Sequence, residues 1–220
     1  SSVTANTVTG IVGGSVALTG VEGLAIESPT NDVRNDYVVD NYGATTDLNT
    51  VTLDGGDTDN DDLDEIEIGL VDDPTTVSYE PTSGSSGIFT GGGATINVQG
   101  FNDFDGNLRL VGGGGVDALN FLGSSSADDI LASQSGADTT IKQTVGLTEW
   151  VPLDFTEVEG LNVLASGGAD TFTIDEQAGA LIPLSDGIFY DGGTGSDSLV
   201  LTGETTVQAS YSVGPEEDQG

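Results

Sequence analysis

Short apolar runs recur along the whole chain, each interrupted by polar residues rich in Gly, Asp, Asn and Ser. Leu24-Ala25-Ile26, Tyr37-Val38-Val39, Val51-Thr52-Leu53, Ile66-Glu67-Ile68 and Val77-Ser78-Tyr79 occupy the first part. Ile96-Asn97-Val98, Leu108-Arg109-Leu110, Leu119-Asn120-Phe121, Ile130-Leu131, Phe172-Thr173-Ile174 and Leu199-Val200-Leu201 continue the series. Most of these runs alternate at period two, and the 3.6-residue period of a helix is nearly absent, so the pattern predicts short strands joined by turns. Helix is expected below about 10% of residues, against a usual third. The alternation predicts that Leu24, Ile26, Val38, Leu53, Ile66, Leu119, Phe121, Leu161, Val163, Phe172, Ile174, Leu199 and Leu201 point inward.

Both a β-sandwich and a β-solenoid fit such a series of strands, and internal repetition favours the solenoid. Leu18 to Ser28 (LTGVEGLAIES) matches Phe155 to Ser166 (FTEVEGLNVLAS), with Val21 on Val158, an offset of 158 − 21 = 137. Asp36 to Asp40 matches Asp170 to Asp175, and Thr75 to Tyr79 matches Thr205 to Tyr211. Leu53 to Gly56 matches Tyr190 to Gly193, again at 191 − 54 = 137 for the aspartates. A looser third copy runs from Phe104 to Phe121. The expected fold is an all-β, parallel β-solenoid of the β-helix or β-roll kind, built from degenerate repeats. Its expected units are residues 1–83, 84–133 and 134–220 in one continuous stack, and tandem β-sandwich domains joined near residues 84–95 are the alternative. Neither end carries an obvious polar cap, so the chain reads as a slice of a longer array or a subunit that continues its stack through neighbours. No signal-peptide pattern precedes Ser1, so a secreted form would be a mature or excised segment.

Charge narrows the range of partners. The 220 residues hold 37 acidic and three basic side chains (Arg34, Arg109 and Lys142), a formal net charge of −34. Nucleic acid needs a basic footprint and is excluded as a partner. No apolar run approaches the length of a membrane-spanning helix, so no membrane span is expected. Such acidity opposes compaction unless cations or salt offset it. The chain has no Cys and no His, so thiolate and imidazole metal sites are absent. Carboxylates and backbone carbonyls suit hard cations such as Ca²⁺.

Two stretches fit the pattern G-G-x-G-x-D-x-U-x, where U is a large apolar residue. They are Gly192 to Val200 (GGTGSDSLV) and Gly112 to Asn120 (GGGGVDALN), whose starts lie 192 − 112 = 80 residues apart. Gly167-Gly168-Ala169-Asp170 and Gly55-Gly56-Asp57 are degenerate relatives. The motif resembles the RTX-type nonapeptide of secreted bacterial β-roll proteins, and more broadly the acidic, glycine-rich repeats of very large bacterial surface proteins. Adhesin, S-layer and fibre proteins of that kind are the nearest comparison. The resemblance implies Ca²⁺ held between successive turns by turn carbonyls and the motif Asp. Carried over by position, it implies Gly193, Gly195 and Asp197, Gly113, Gly115 and Asp117, and Asp170 as metal-site residues, with Leu199 and Leu119 in the core.

Asp57, Asp59 and Asp61, in the densest acidic stretch (Asp54 to Ile68), share the D-x-D-x-D opening of an EF-hand loop. That loop needs Gly at position six and a bidentate Glu at position twelve, where this chain has Asp62 and Ile68, so a strand-to-strand Ca²⁺ loop is the remaining metal reading. Glu22-Gly23-Leu24, Asp105-Gly106 before Leu108, and Glu159-Gly160-Leu161 read as corners where Gly bends the chain. Trp150 with Tyr37, Tyr42, Tyr79, Tyr190 and Tyr211 could offer a sugar-stacking face, although residues inside strands serve first as core. A glycosidase needs only two carboxylates, yet this surface would repel an anionic polymer, and no Ser-His or Cys-His pair is possible.

The expected function is therefore non-enzymatic: an extracellular, Ca²⁺-stabilised repeat protein of a bacterial surface layer, fibre or adhesin stalk, assembled through homotypic contacts. A cell-surface glycan is a further expected partner. The alternatives are an extracellular glycan-binding module and a polysaccharide-acting β-helix enzyme.

Overall fold

The computed structural model describes residues 2–4, 7–11, 14–17, 22–27, 36–42, 48–55, 65–101, 108–135, 137–176 and 184–203. These residues are all-β, with no helix among them. The early strands are β1 (Ser2–Thr4), β2 (Thr7–Ile11), β3 (Gly14–Ala17), β4 (Gly23–Glu27), β5 (Asp36–Tyr42), β6 (Thr50–Asp54) and β7 (Glu65–Leu70). They are followed by β8 (Thr76–Ser83), β9 (Ser86–Thr90), β10 (Thr95–Gln99), β11 (Leu108–Val111), β12 (Ala118–Leu122), β13 (Asp128–Ser135) and β14 (Asp138–Val145). The last are β15 (Thr148–Glu149), β16 (Leu153–Thr156), β17 (Gly160–Leu164), β18 (Gly167–Gly168), β19 (Thr171–Asp175), β20 (Gly187–Asp191), β21 (Thr194–Gly195) and β22 (Ser198–Thr202).

From β4 onward the chain passes back and forth between two open, mixed sheets. Sheet I runs in the order β22-β19-β13-β14-β16-β11-β7-β5-β1-β2-β3, with β15 paired to β14. Sheet II runs β20-β17-β12-β8-β9-β10-β6-β4, and β18 and β21 form a small parallel pair. One apolar cluster takes residues from both sheets. Phe172 of sheet I lies 5.3 Å from Tyr190 of sheet II, and the Tyr42 hydroxyl donates to Ala94 O at 2.8 Å. Tyr79 packs between Phe89 and Phe121 and donates its hydroxyl to Val151 O.

The parallel pairings step by two lengths. β6 follows β4 at 50 − 23 = 27 residues, β20 follows β17 at 187 − 160 = 27, and β22 follows β19 at 198 − 171 = 27. β12 follows β8 at 118 − 76 = 42, β17 follows β12 at 160 − 118 = 42, and β19 follows β13 at 171 − 129 = 42. The longer passes contain an antiparallel detour, β8-β9-β10 in sheet II or β13-β14-β16 in sheet I. The strands carrying the 137-residue repeat occupy matching places: Leu24 and Leu161 lie on β4 and β17, and each strand pairs with its partner at the 27-residue step.

Period-two burial accounts for most of the inward set. Leu53, Ile66, Leu119, Phe121, Leu161, Val163 and Phe172 are fully buried, while Leu24, Ile26 and Ile174 pack half-buried against them. Val38 does not point inward. Its neighbours Tyr37 and Val39 fill the core, because in a run of three apolar residues the pleat admits either the middle one or the outer two. Leu199 and Leu201 also differ from expectation, at 45% and 42% exposed. They are in register with Phe172 and Ile174, but β22 is the last strand of its sheet.

Candidate functional site

Two series of carboxylates tie successive passes of the chain together at the turns. Before the strands of sheet II, Thr75 N donates to Asp117 Oδ1 at 2.8 Å, and Asp117 N donates to Glu159 Oε2 at 2.7 Å, each across 42 residues. Before the strands of sheet I, Asp128 N donates to Asp170 Oδ1 at 2.8 Å across 42 residues, and Asp170 N donates to Asp197 Oδ1 at 3.0 Å across 27. Each acid stands at or immediately before the first residue of its strand. There its side chain meets an N–H of the equivalent position one pass earlier, which the parallel ladder leaves over. A charged acceptor makes these bonds stronger than neutral ones.

Local bonds complete each turn. Asp117 Oδ2 accepts from Gly113 N at 2.8 Å. Asp128 accepts from Ser124 N and Ser124 Oγ. Asp117, Asp128 and Asp170 are all buried, at 0%, 1% and 1% exposed. Corner carbonyls repeat the geometry: Glu22 O accepts from Asn49 N and Thr50 N, and Asp117 O accepts from Glu159 N and Gly160 N.

The glycines of the motif serve close approach between passes. A Cβ on Gly195, whose φ is +144°, would collide with Gly168 O, and a Cβ on Gly113 would collide with Val71 O. Gly193 and Gly115 are likewise crowded, by Ser166 O and the Pro74 ring respectively. No side chain larger than hydrogen fits where the neighbouring backbone passes this near.

The fit of these residues to Ca²⁺ differs from turn to turn. Both oxygens of Asp117 accept backbone N–H groups, so Asp117 does not suit a cation in this arrangement. Asp170 uses Oδ1 alone, and its Oδ2 is buried with no hydrogen-bond partner. Burial raises the Asp170 pKa above the ordinary carboxylate value; the N–H of Asp128 opposes that shift, and the charges of Asp128 and Asp197 add to it. The nearby Tyr190 hydroxyl is also buried without a partner. Its pKa is pushed up to about 12 by burial and then by Asp197, Asp170 and Asp191. Among the described residues, no group of three or more acidic side chains is placed to hold a metal ion. Asp57, Asp59 and Asp61 lie outside the described residues.

The tyrosines do not form a sugar-stacking face. Tyr37, Tyr42 and Tyr79 are core residues, and Tyr211 lies outside the described residues. The exposed aromatic is Phe189, at 56%. Both basic residues in the described part pair on sheet I: Arg109 with Asp138 in two hydrogen bonds and with Glu67, and Lys142 with Glu149.

Two ladder members escaped the sequence reading. Glu159 was read only as a corner, and Asp128 stood outside the glycine motif. Their shared signal is an acid at a strand start, one repeat step from another acid. No protein family, curated protein or solved structure matches the chain.

Proposed function

We propose that the chain is a non-enzymatic, extracellular structural repeat protein, a β-solenoid whose passes stack end to end with further copies to build a surface layer, fibre or adhesin stalk. The supporting observation is the uncovered end formed by β20 and β22. Ile66 and Ile68, on the strand that follows β6, are 1% and 0% exposed because Leu108 and Leu110 of β11 lie in register beside them. Leu199 and Leu201, on the strand that follows β20, have a neighbour on one side only among the described residues. They leave apolar surface beside two strand edges whose N–H and C=O groups are free to pair, which is a template for another copy. Calcium belongs to this reading as a stabiliser at the Asp170–Asp197 turn, where one carboxylate oxygen is buried and unengaged.

Sedimentation velocity over a range of concentrations tests the assembly. The wild-type chain is expected to form species larger than the monomer as concentration rises. A Leu199→Glu, Leu201→Glu variant is expected to remain monomeric with an unchanged circular dichroism spectrum. A wild-type chain that stays monomeric throughout, or a variant that assembles equally well, overturns the proposal.

A further inference from the structure

The outward face of sheet II carries almost no charge. Thr52 of β6, Asn97 of β10, Ser78 of β8, Asn120 of β12, Asn162 of β17 and Phe189 of β20 mark a lane along its middle. Register places Thr52 beside Asn97, Ser78 beside Asn120, Asn120 beside Asn162, and Asn162 beside Phe189. The acids of these strands, Asp54, Glu80 and Asp191, sit one outward position further along and form a margin. Sheet I is different: Glu67, Arg109, Asp138 and Asp154 face outward together around the Arg109 ion pairs. In a chain of net charge −34, a neutral lane crossing seven strands, about 28 Å at the usual strand spacing, is a segregated surface.

The amides of the lane are held in place. Asn162 Nδ2 donates to Asn120 Oδ1 at 2.8 Å, and Asn120 Nδ2 donates to Ser78 Oγ at 3.2 Å, each across 42 residues. A primary amide has two N–H donors and a carbonyl with two lone pairs, so each Asn keeps capacity beyond the ladder. At the end of the row Phe189 presents an exposed ring.

We propose that this lane binds a neutral polysaccharide laid across the strands, with sugar hydroxyls meeting the Asn and Ser side chains and the apolar face of one sugar ring stacked on Phe189. Charge selects that occupant. An anionic polymer is repelled by the whole molecule and by the acidic margin, and a cationic partner would seek sheet I or the margin. A second copy set face to face would have to desolvate two polar lanes for little apolar contact beyond Ile88 and Phe189. The ladder also lowers the cost of ordering the side chains on binding. This inference is independent of the end-to-end assembly proposed above.

Affinity electrophoresis in gels containing dextran, laminarin, mannan or hydroxyethylcellulose, with alginate as the anionic control, tests it. The wild-type chain is expected to be retarded by at least one neutral polymer and not by alginate, with a Kd that changes less than twofold on added NaCl. Asn120→Asp with Asn162→Asp is expected to abolish retardation, and Phe189→Ala, at an exposed position that folding does not require, to weaken it about tenfold. Thr156→Asp, which adds charge to sheet I, is expected to leave it unchanged. The proposal is overturned if no neutral polymer retards the chain, or if Phe189→Ala binds as tightly as wild type. It is equally overturned if the lane variants change self-association while polymer binding persists.

Discussion

At the scale of single residues, the motif aspartates act as acceptors for orphan backbone N–H groups. Asp117 shows this most fully, because both its oxygens are engaged and it is wholly buried. Removing its carboxylate strands the N–H groups of Thr75 and Gly113, at about 1–3 kcal/mol for each buried unsatisfied group. Asp117→Ala is therefore expected to lose about 2–5 kcal/mol of stability, and to lose the same amount in calcium and in chelator. Urea denaturation under both conditions checks this. A loss confined to calcium would make Asp117 an ion ligand after all. The residue type was legible in the sequence, since a glycine-rich turn ending in Asp before an apolar run marks a special position. Its partner was not, because Thr75 lies 42 residues away and the step length depends on detours that carry no local signature.

At the scale of elements, the strands were legible wherever polar and apolar residues alternate strictly, as in Ile66-Glu67-Ile68 and Leu119-Asn120-Phe121. Val38 was misplaced because Tyr37-Val38-Val39 offers no alternation to set the register. The antiparallel detours were also hidden, since β9 and β14 have the same period-two pattern as strands that cross between the sheets. The β14 detour has a cost that the pattern does not show. Gln143, on the inward row with Thr139 and Ile141, is fully buried with neither amide atom bonded, and Thr139 Oγ1 is likewise unpartnered. Replacing an unsatisfied buried polar group with an apolar one of similar volume removes its desolvation penalty. Gln143→Leu is therefore expected to gain about 1–3 kcal/mol, read as a higher urea midpoint at constant m-value. A destabilised variant would show that the amide makes a necessary bond.

At the scale of the whole molecule, a net charge of −34 makes any added salt stabilising by screening, whose range falls from about 10 Å at 0.1 M to about 3 Å at 1 M. A bound ion must be separated from that background. Asp170 permits the separation, because burial and its acidic neighbours raise its pKa. A carboxylate whose folded pKa lies above its unfolded value stabilises the fold in its protonated form. That contribution is complete below the ordinary carboxylate pKa and is lost as pH rises through the raised value. At neutral pH the ionised group therefore costs stability, which a cation at Oδ2 would offset. In chelator at fixed ionic strength, the wild-type chain is expected to gain melting temperature relative to Asp170→Asn as pH falls from neutral through the raised pKa. Calcium at neutral pH is expected to raise the wild-type melting temperature beyond NaCl of matched ionic strength, and to lose that excess in Asp170→Asn. An equal response of both proteins to calcium and to NaCl would leave screening as the whole effect, and the turn at Asp170 would be held by its backbone N–H bonds alone.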